Sequence, residues 1–424
     1  MEPINIHINN LGAIANSDIT ITPVMIFSGE SGLGKSYAAI LCHYIFDFLL
    51  SPVRLNRFFY EKQINFKEER KNYKNKGLAL SIKKKELEEW ISFDAIVYMR
   101  YMLNNPSLSG NIVVSLPNTI EDTIECYFEE ELLGFVENED TYIKLAMLDL
   151  TYRVKDETIG EESPFSVVLR YGLINKIFGD FKALSNTFIF PPSRGTILTE
   201  DVNPQTGLYQ RFKDSLEYIS KMPAHEENVR TDLLKLLREV LDGSVHRKDN
   251  LFFYRTHNSE IPISAAAASV RDLAPLIMLI ERFDIKTVSM LIEEPEAHLH
   301  PLKQRMMADI IGSMCKGGTY MQITTHSDYF LRRLNELISL FKLHEMTNDE
   351  KFNQITQDVS INPELMLNPQ CISAYLLERK ENGTSSIIKQ DLTNGIPFST
   401  FSKAIDDSLS KSIRLNEYLE NEGI

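Results

Sequence analysis

Residues 29 to 36 read Gly29-Glu30-Ser31-Gly32-Leu33-Gly34-Lys35-Ser36, a complete G-x-x-x-x-G-K-[ST] phosphate loop. Val24 to Ser28 before it is a short apolar run with the pattern of a buried strand, and Tyr37-Ala38-Ala39-Ile40 after it has the pattern of a helix. A strand feeding a tight glycine turn into a helix aims several backbone N–H groups and the positive end of the helix dipole at one spot. Lys35 can then reach the β- and γ-phosphates, and the Ser36 hydroxyl can ligate Mg²⁺. These residues predict binding of a nucleoside triphosphate.

The 424 residues suffice for two or three domains, and a 43% hydrophobic fraction is ordinary for a globular chain. Cys42, Cys126, Cys315 and Cys371 are far apart and form no C-x-x-C pair. They read as free thiols of a reducing compartment. Met1-Glu2-Pro3 leads straight into a strand pattern with no basic-then-apolar signal segment. No uncharged apolar stretch reaches the length of a membrane span, so a cytoplasmic protein without a membrane partner is expected. The formal charge of −14 argues against a wholly basic coat for DNA, but leaves room for a local basic face.

Thr287 to Ile292 forms a second apolar, β-branched run, with the pattern of a buried parallel strand. It runs into Glu293-Glu294-Pro295-Glu296-Ala297-His298-Leu299-His300-Pro301. A carboxylate at a strand tip beside a phosphate loop is placed to hold the nucleotide's Mg²⁺, which singles out Glu293. Glu294 is placed to polarise the water that attacks the γ-phosphate. His298 and His300 are two residues apart before a proline, a spacing that argues against a metal pair on a helix. A third strand pattern, Tyr320 to Thr325, ends in His326-Ser327-Asp328. His326 therefore stands where open α/β sheets bind ligands.

This order of motifs resembles the ABC-class ATPases of the SMC, RecF and overcoming-lysogenization-defect (OLD) type. More narrowly, it resembles the stand-alone AAA-family ATPases often found in bacterial anti-phage defence systems. Ile4 to Ser36 resembles their N-terminal strands and phosphate loop. Phe188 to Gly195 resembles their strand ending in P-[AP]-x-R, and Cys371 to Phe398 their C-terminal strand pair. The resemblance implies an α/β fold, a P-loop NTPase of ABC-ATPase head type with a mainly helical insertion (lid or arm) between the phosphate loop and the signature helix. It implies a head made of 1–48, 187–204 and 250–424, an insertion at 49–186 and a helical sub-insertion at 205–249.

It further implies ATP and Mg²⁺ sandwiched between two heads, in a homodimer or higher homo-oligomer. Lys35 and Ser36 would grip phosphates and metal, Glu293 would take the usual aspartate position, Glu294 would be the catalytic carboxylate and His326 the switch histidine. Pro295 to His300 would match the loop that crosses the dimer interface. The family's serine- and glycine-containing signature loop is altered here to Ser264-Ala265-Ala266-Ala267-Ala268-Ser269-Val270-Arg271-Asp272-Leu273. Ser264, Ser269 and Arg271 remain as donors toward a partner's γ-phosphate. The alteration implies either slow hydrolysis or ATP acting mainly to join heads.

Elsewhere, Glu61 to Glu89 has the pattern of a polar helix carrying Lys62, Lys67, Arg70, Lys71, Lys74, Lys76 and Lys83-Lys84-Lys85. That stretch is either a solvated face or a contact surface for nucleic acid or an acidic partner. Arg194 fits a phosphate- or head-sensing role and, equally, a structural arginine binding carbonyls at a turn. Ile372–Arg379 and Ser385–Lys389 predict a hairpin, with a final helix marked by Phe401, Ile405, Leu409 and Ile413. No acidic cluster of nuclease type follows His326, so no intrinsic nuclease is expected. The leading functional expectation is an ATPase whose head engagement controls a separately encoded effector, a nuclease or toxin. The alternatives are a RecF- or SMC-like ATPase acting directly on DNA, and an assembly protein that binds ATP but hardly turns it over.

Overall fold

The computed structural model describes residues 1–64, 78–131, 141–145, 150–154, 163–200, 202–223, 230–248, 251–397 and 399–421. Its frame is a nine-stranded sheet in the order β5-β1-β2-β16-β15-β3-β14-β13-β9. The members are β1 (Ile4–Leu11), β2 (Ile14–Ile21), β3 (Val24–Gly29), β5 (Gly110–Ser115), β9 (Asn186–Phe190), β13 (Val288–Glu293), β14 (Tyr320–Thr324), β15 (Ile372–Arg379) and β16 (Ser385–Lys389). The run β15-β3-β14-β13-β9 is parallel throughout. β1 pairs antiparallel with β2 and β5, and β15 with β16.

The parallel strands β3 and β13 are buried at every position, which is why they read as unbroken apolar runs. In β3 the pleat sends Met25 and Phe27 into one hydrophobic core, and Val24 and Ile26 into the other. One core contains helix α1 (Lys35–Leu50) and the helices Lys84–Leu103 and Pro164–Phe178. The other contains the helices Thr231–Leu241, Ala268–Arg282 and Pro301–Lys316. The protein is thus an α/β fold with a phosphate loop, layered helix–sheet–helix.

The segment 49–186 carries the helices Pro52–Glu61, Lys84–Leu103 and Pro164–Phe178, together with strands that the sequence reading did not expect. Leu78–Lys83, expected within a polar helix, is a strand (β4) that heads a four-stranded sheet with β6 (Thr123–Glu131), β7 (Thr141–Leu145) and β8 (Leu150–Val154). β5 leaves the segment altogether and becomes the edge of the main sheet beside β1. Only pairing with a distant strand makes these short runs regular, and no local pattern announces that. Lys67, Arg70, Lys71, Lys74 and Lys76 lie outside the described residues, as does the side chain of Cys126. Lys84 donates to the carbonyls of Pro117 (2.9 Å) and Ile120 (3.4 Å), so one member of the lysine run is structural. Cys42, Cys315 and Cys371 are free thiols. No single helix among the described residues is long and apolar enough to cross a membrane.

Behind the phosphate loop, α1 is locked to its surroundings by a buried ionic cluster. Asp47 accepts from Arg54 at 2.9 Å and from Arg211, while Asp94 accepts from Arg54 at 2.6 Å and from the Tyr44 hydroxyl at 3.0 Å. Asp47 sits on α1, Asp94 on the helix Lys84–Leu103 and Arg211 on the helix Gly207–Lys221, so segments far apart in sequence converge here. Burial alone would push the Asp47 carboxyl up, but Arg211 and Arg54 outweigh it and hold it below the ordinary aspartate value. Asp47→Ala leaves Arg211 without its carboxylate and Arg54 with Asp94 alone, and is expected to cost about 2–3 kcal/mol in denaturant unfolding. Because the folded-state carboxyl is depressed, its contribution is complete at neutral pH and fades as the pH falls below about 4. The variant should therefore lose its deficit relative to the parent in acid.

Candidate functional site

β3 lies between β15 and β14, and the phosphate loop leaves its C-terminal tip. Gly29 has φ +125°, and a Cβ there would lie 2.4 Å from the Leu377 carbonyl oxygen of β15. Gly34 has φ +101°, and its Cβ would meet the Ile14 side chain at 2.9 Å. Both positions require glycine for backbone reasons as well as space. Leu33 is buried and anchors the loop, whereas Glu30, Ser31 and Gly32 are exposed around the turn.

Lys35 is buried, and its Nζ donates to the carbonyls of Gly29 (2.9 Å) and Glu30 (2.7 Å). Burial lowers its pKa to about 8 against the opposing pull of Glu294, Glu293 and Glu30. Ser36 at the start of α1 donates from its hydroxyl to Oε2 of Glu293. Glu293 is 4% exposed, and its pKa is raised by burial, with Ser36 acting against the rise and Glu294 adding to it. A hydroxyl and a desolvated carboxylate in contact at the phosphate loop form the donor pair that suits Mg²⁺. No group of three or more His, Cys, Asp or Glu among the described residues could hold a metal. A cation at Ser36 and Glu293 would thus complete its shell with phosphate oxygens and water, as Mg²⁺ commonly does.

Glu294 adopts φ +47°, a left-handed conformation costly for a non-glycine residue, and its N–H donates to the Thr324 carbonyl at 3.1 Å. That twist turns its side chain away from the Glu293 side of the strand, leaving it 39% exposed and 3.9 Å from Nε2 of His326. Burial lowers the His326 pKa, Lys35 lowers it further and Glu294 opposes both. The structure therefore gathers Lys35, Ser36, Glu293, Glu294 and His326 at the C-terminal ends of neighbouring parallel strands. Ser264 is exposed, and Ser269 and Arg271 are partly buried near the start of the helix Ala268–Arg282. Ala267 caps that helix without any side-chain hydrogen bond.

Arg194 takes the structural alternative. It is 3% exposed, and its guanidinium donates to the carbonyls of Asp272 (2.7 Å), Glu293 (3.0 Å) and Pro191 (3.2 Å). Two residues escaped the sequence reading. Asp272 accepts from the Gly195 N–H at 2.7 Å and contacts Nδ1 of His298 at 2.8 Å, tying the loop after β9, the helix Ala268–Arg282 and the loop after β13 together. Glu296 is buried under the turn that carries His326. An acid inside an acidic stretch and an aspartate inside an amphipathic helix carry no local signal that separates them from solvated neighbours. His300 accepts a 3.4 Å bond from the Leu302 N–H as the cap of the helix Pro301–Lys316, in line with a structural histidine.

Residues 197–331 match the family described as the AAA ATPase domain, a span holding the Glu293–Pro301 and His326 motifs but starting after the phosphate loop. Together with that loop, this partial match supports ATPase chemistry. No curated protein matches the chain. Among solved structures, an SMC head bound to the C-winged helix domain of ScpA is 11% identical, covers 92% of this chain and 98% of its own, and has a TM-score of 0.38. The SMC head domain from Thermotoga maritima is 11% identical over 92% of this chain and 100% of its own, with a TM-score of 0.35. An SMC head from Pyrococcus furiosus with an extended coiled coil, bound to the C-terminal domain of ScpA, is 10% identical over 97% and 99%, with a TM-score of 0.37.

The state of Lys35 gives a binding prediction. A polyphosphate favours the charged amine and raises its pKa from about 8, so binding takes up a proton once the free lysine has begun to lose it. With EDTA present, nucleotide affinity should be flat below pH 7 and weaken above pH 8, by up to about tenfold per pH unit. Calorimetry in buffers of different ionisation enthalpy should show uptake approaching one proton at pH 9. Lys35→Ala should remove both the uptake and measurable binding.

Proposed function

We propose that the chain binds Mg-ATP and hydrolyses it between two copies of its head, and that head engagement controls a separately encoded effector. The observation that carries the ATPase half is the cluster of Lys35, Ser36, Glu293, Glu294 and His326 at one end of the parallel strands. In this reading Lys35 and the loop amides from Gly29 to Ser36 hold the phosphates, with Ser36 and Glu293 on Mg²⁺. Glu294 accepts the proton of the attacking water, and His326 faces the γ-phosphate. Lys35 and Ser36 open α1 just after β3, and Glu293, Glu294 and His326 lie at or just beyond the tips of β13 and β14, which supports this reading. Ser264, Ser269, Arg271 and the N–H groups of Ala268 and Ser269 at the start of their helix would meet the nucleotide of a second copy.

Residues 1–48, 187–204 and 250–424 are read as the head, 49–186 as an insertion riding on it and 205–249 as the sub-insertion before the signature helix. A nuclease or toxin as effector, and a role in cytoplasmic anti-phage defence, rest on the motif resemblance alone. Direct action on DNA is the competing reading; of the lysine run, Lys84 is spent on carbonyls while Lys83 and Lys85 are exposed.

The test is Glu294→Gln, which keeps the shape and removes the base. Its ATP turnover is expected to fall about 10²- to 10⁴-fold. Its mass in solution should double with Mg-ATP and stay monomeric without it. Turnover at the parent rate would remove Glu294 from the catalytic role. A mass indifferent to nucleotide would remove the sandwich.

A further inference from the structure

We propose that Glu296 is a positioning residue, whose buried carboxylate holds the turn carrying His326 in register with the loop that follows β13. The inference rests on the ATPase reading above and adds to it how one loop governs the other.

Glu296 is 4% exposed, and its Oε1 accepts twice: from the Thr325 hydroxyl at 2.5 Å and from the His326 N–H at 3.0 Å. Its Oε2 is buried with no hydrogen-bond partner among the described residues. A carboxylate is an expensive way to fill such a space, since an apolar side chain would occupy it without desolvating an oxygen. The cost is explained if the site needs an acceptor at the Oε1 position. That acceptor orients the backbone immediately before the His326 side chain, and Thr325 is itself fully buried.

A second tie runs parallel to the first. Gln304 accepts from the Ser327 hydroxyl at 2.5 Å and donates to the Leu299 carbonyl at 3.0 Å, and the Glu294 N–H reaches the Thr324 carbonyl. The segment from Glu294 to His298 is bent at both ends by left-handed residues, φ +47° at Glu294 and +60° at His298. At its far end His298 contacts Asp272 of the signature helix. A displacement of this short, doubly bent segment by an arriving partner head thus has two outlets. One runs through His298 to the signature helix, and the other through Glu296 to His326.

Three measurements on Glu296→Ala and Glu296→Gln decide the matter: ATP turnover, thermal unfolding, and the imidazole NMR signals of the nucleotide-free protein. The His326 signal is assigned by its loss in His326→Gln. Glu296→Ala should lower kcat about 10- to 100-fold with little change in KM, and should move the His326 signals. Glu296→Gln keeps an acceptor oxygen and sheds the buried charge. It should return the His326 signals to their parental positions and kcat to within a few-fold of the parent. Unmoved His326 signals in Glu296→Ala, or a glutamine variant as impaired as alanine, would overturn the proposal. Should the alanine variant fail to fold, Glu296→Asp withdraws the acceptor by one methylene while keeping the charge, and is expected to behave as alanine does. A parent without ATP turnover would defeat the ATPase reading, and the His326 signals alone would still decide the role of Glu296.

Discussion

The bond from Ser36 to Glu293 is the contact on which the nucleotide site depends. It joins the first turn of α1 to the tip of β13 across 257 residues of sequence. It also brings a hydroxyl and a carboxylate to the spot where an octahedral cation bridging phosphates would sit. Glu293 is desolvated and its pKa is raised, so the resting site holds a carboxylate whose charge is poorly compensated. Lys35, a cation at the same site, is spent on loop carbonyls and is itself depressed by burial. Both groups are poised to gain when a polyanion with its metal arrives, because the ligand supplies the counter-charges that burial has removed.

Holding such groups requires a stiff frame. A parallel sheet with a hydrophobic core on each face brings β3, β13 and β14 side by side, with their C-terminal ends aligned. Backbone acceptors do much of the remaining work. Arg194 spans carbonyls of three separate segments, and Asp272 receives a backbone N–H while meeting His298. The loops after β9, β13 and β14 therefore form one hydrogen-bonded block. On the opposite side of the sheet, the Asp47 cluster fixes α1 to helices from two other parts of the chain.

Wherever a residue's role follows from its neighbours in sequence, the sequence revealed it. The phosphate loop, the buried strands β3 and β13, the hairpin of β15 and β16, and the apolar face of the helix Ala268–Arg282 all have a local period or motif. β4 and β5 do not, because they are strands only through partners elsewhere in the chain, and β5 reaches the main sheet across about a hundred residues. Glu296 and Asp272 were hidden for another reason. Their burial comes from the meeting of three loops, and an acid among other acids, or one inside an amphipathic helix, gives no hint that it is enclosed. Arg194 was visible as a candidate, and its partners, all carbonyls, could be assigned only in three dimensions.

The altered signature segment becomes less anomalous once its helix is seen. Ala267 offers no side-chain cap and its carbonyl accepts from the Val270 and Arg271 N–H groups, so those of Ala268 and Ser269 are left for another acceptor. An anion held at a helix N-terminus is bound chiefly by main-chain donors and the helix dipole, and these survive replacement of serine by alanine. What the alanines remove is the hydroxyl contribution, typically about 1 kcal/mol per hydrogen bond in a solvated setting. In the proposed sandwich, that loss weakens the grip of one head on the other's nucleotide without abolishing it. Asp272, four residues into this helix, still ties it to the loop after β13 through His298. In that proposed sandwich, coupling between nucleotide and partner would run through residues outside the alanine-rich segment.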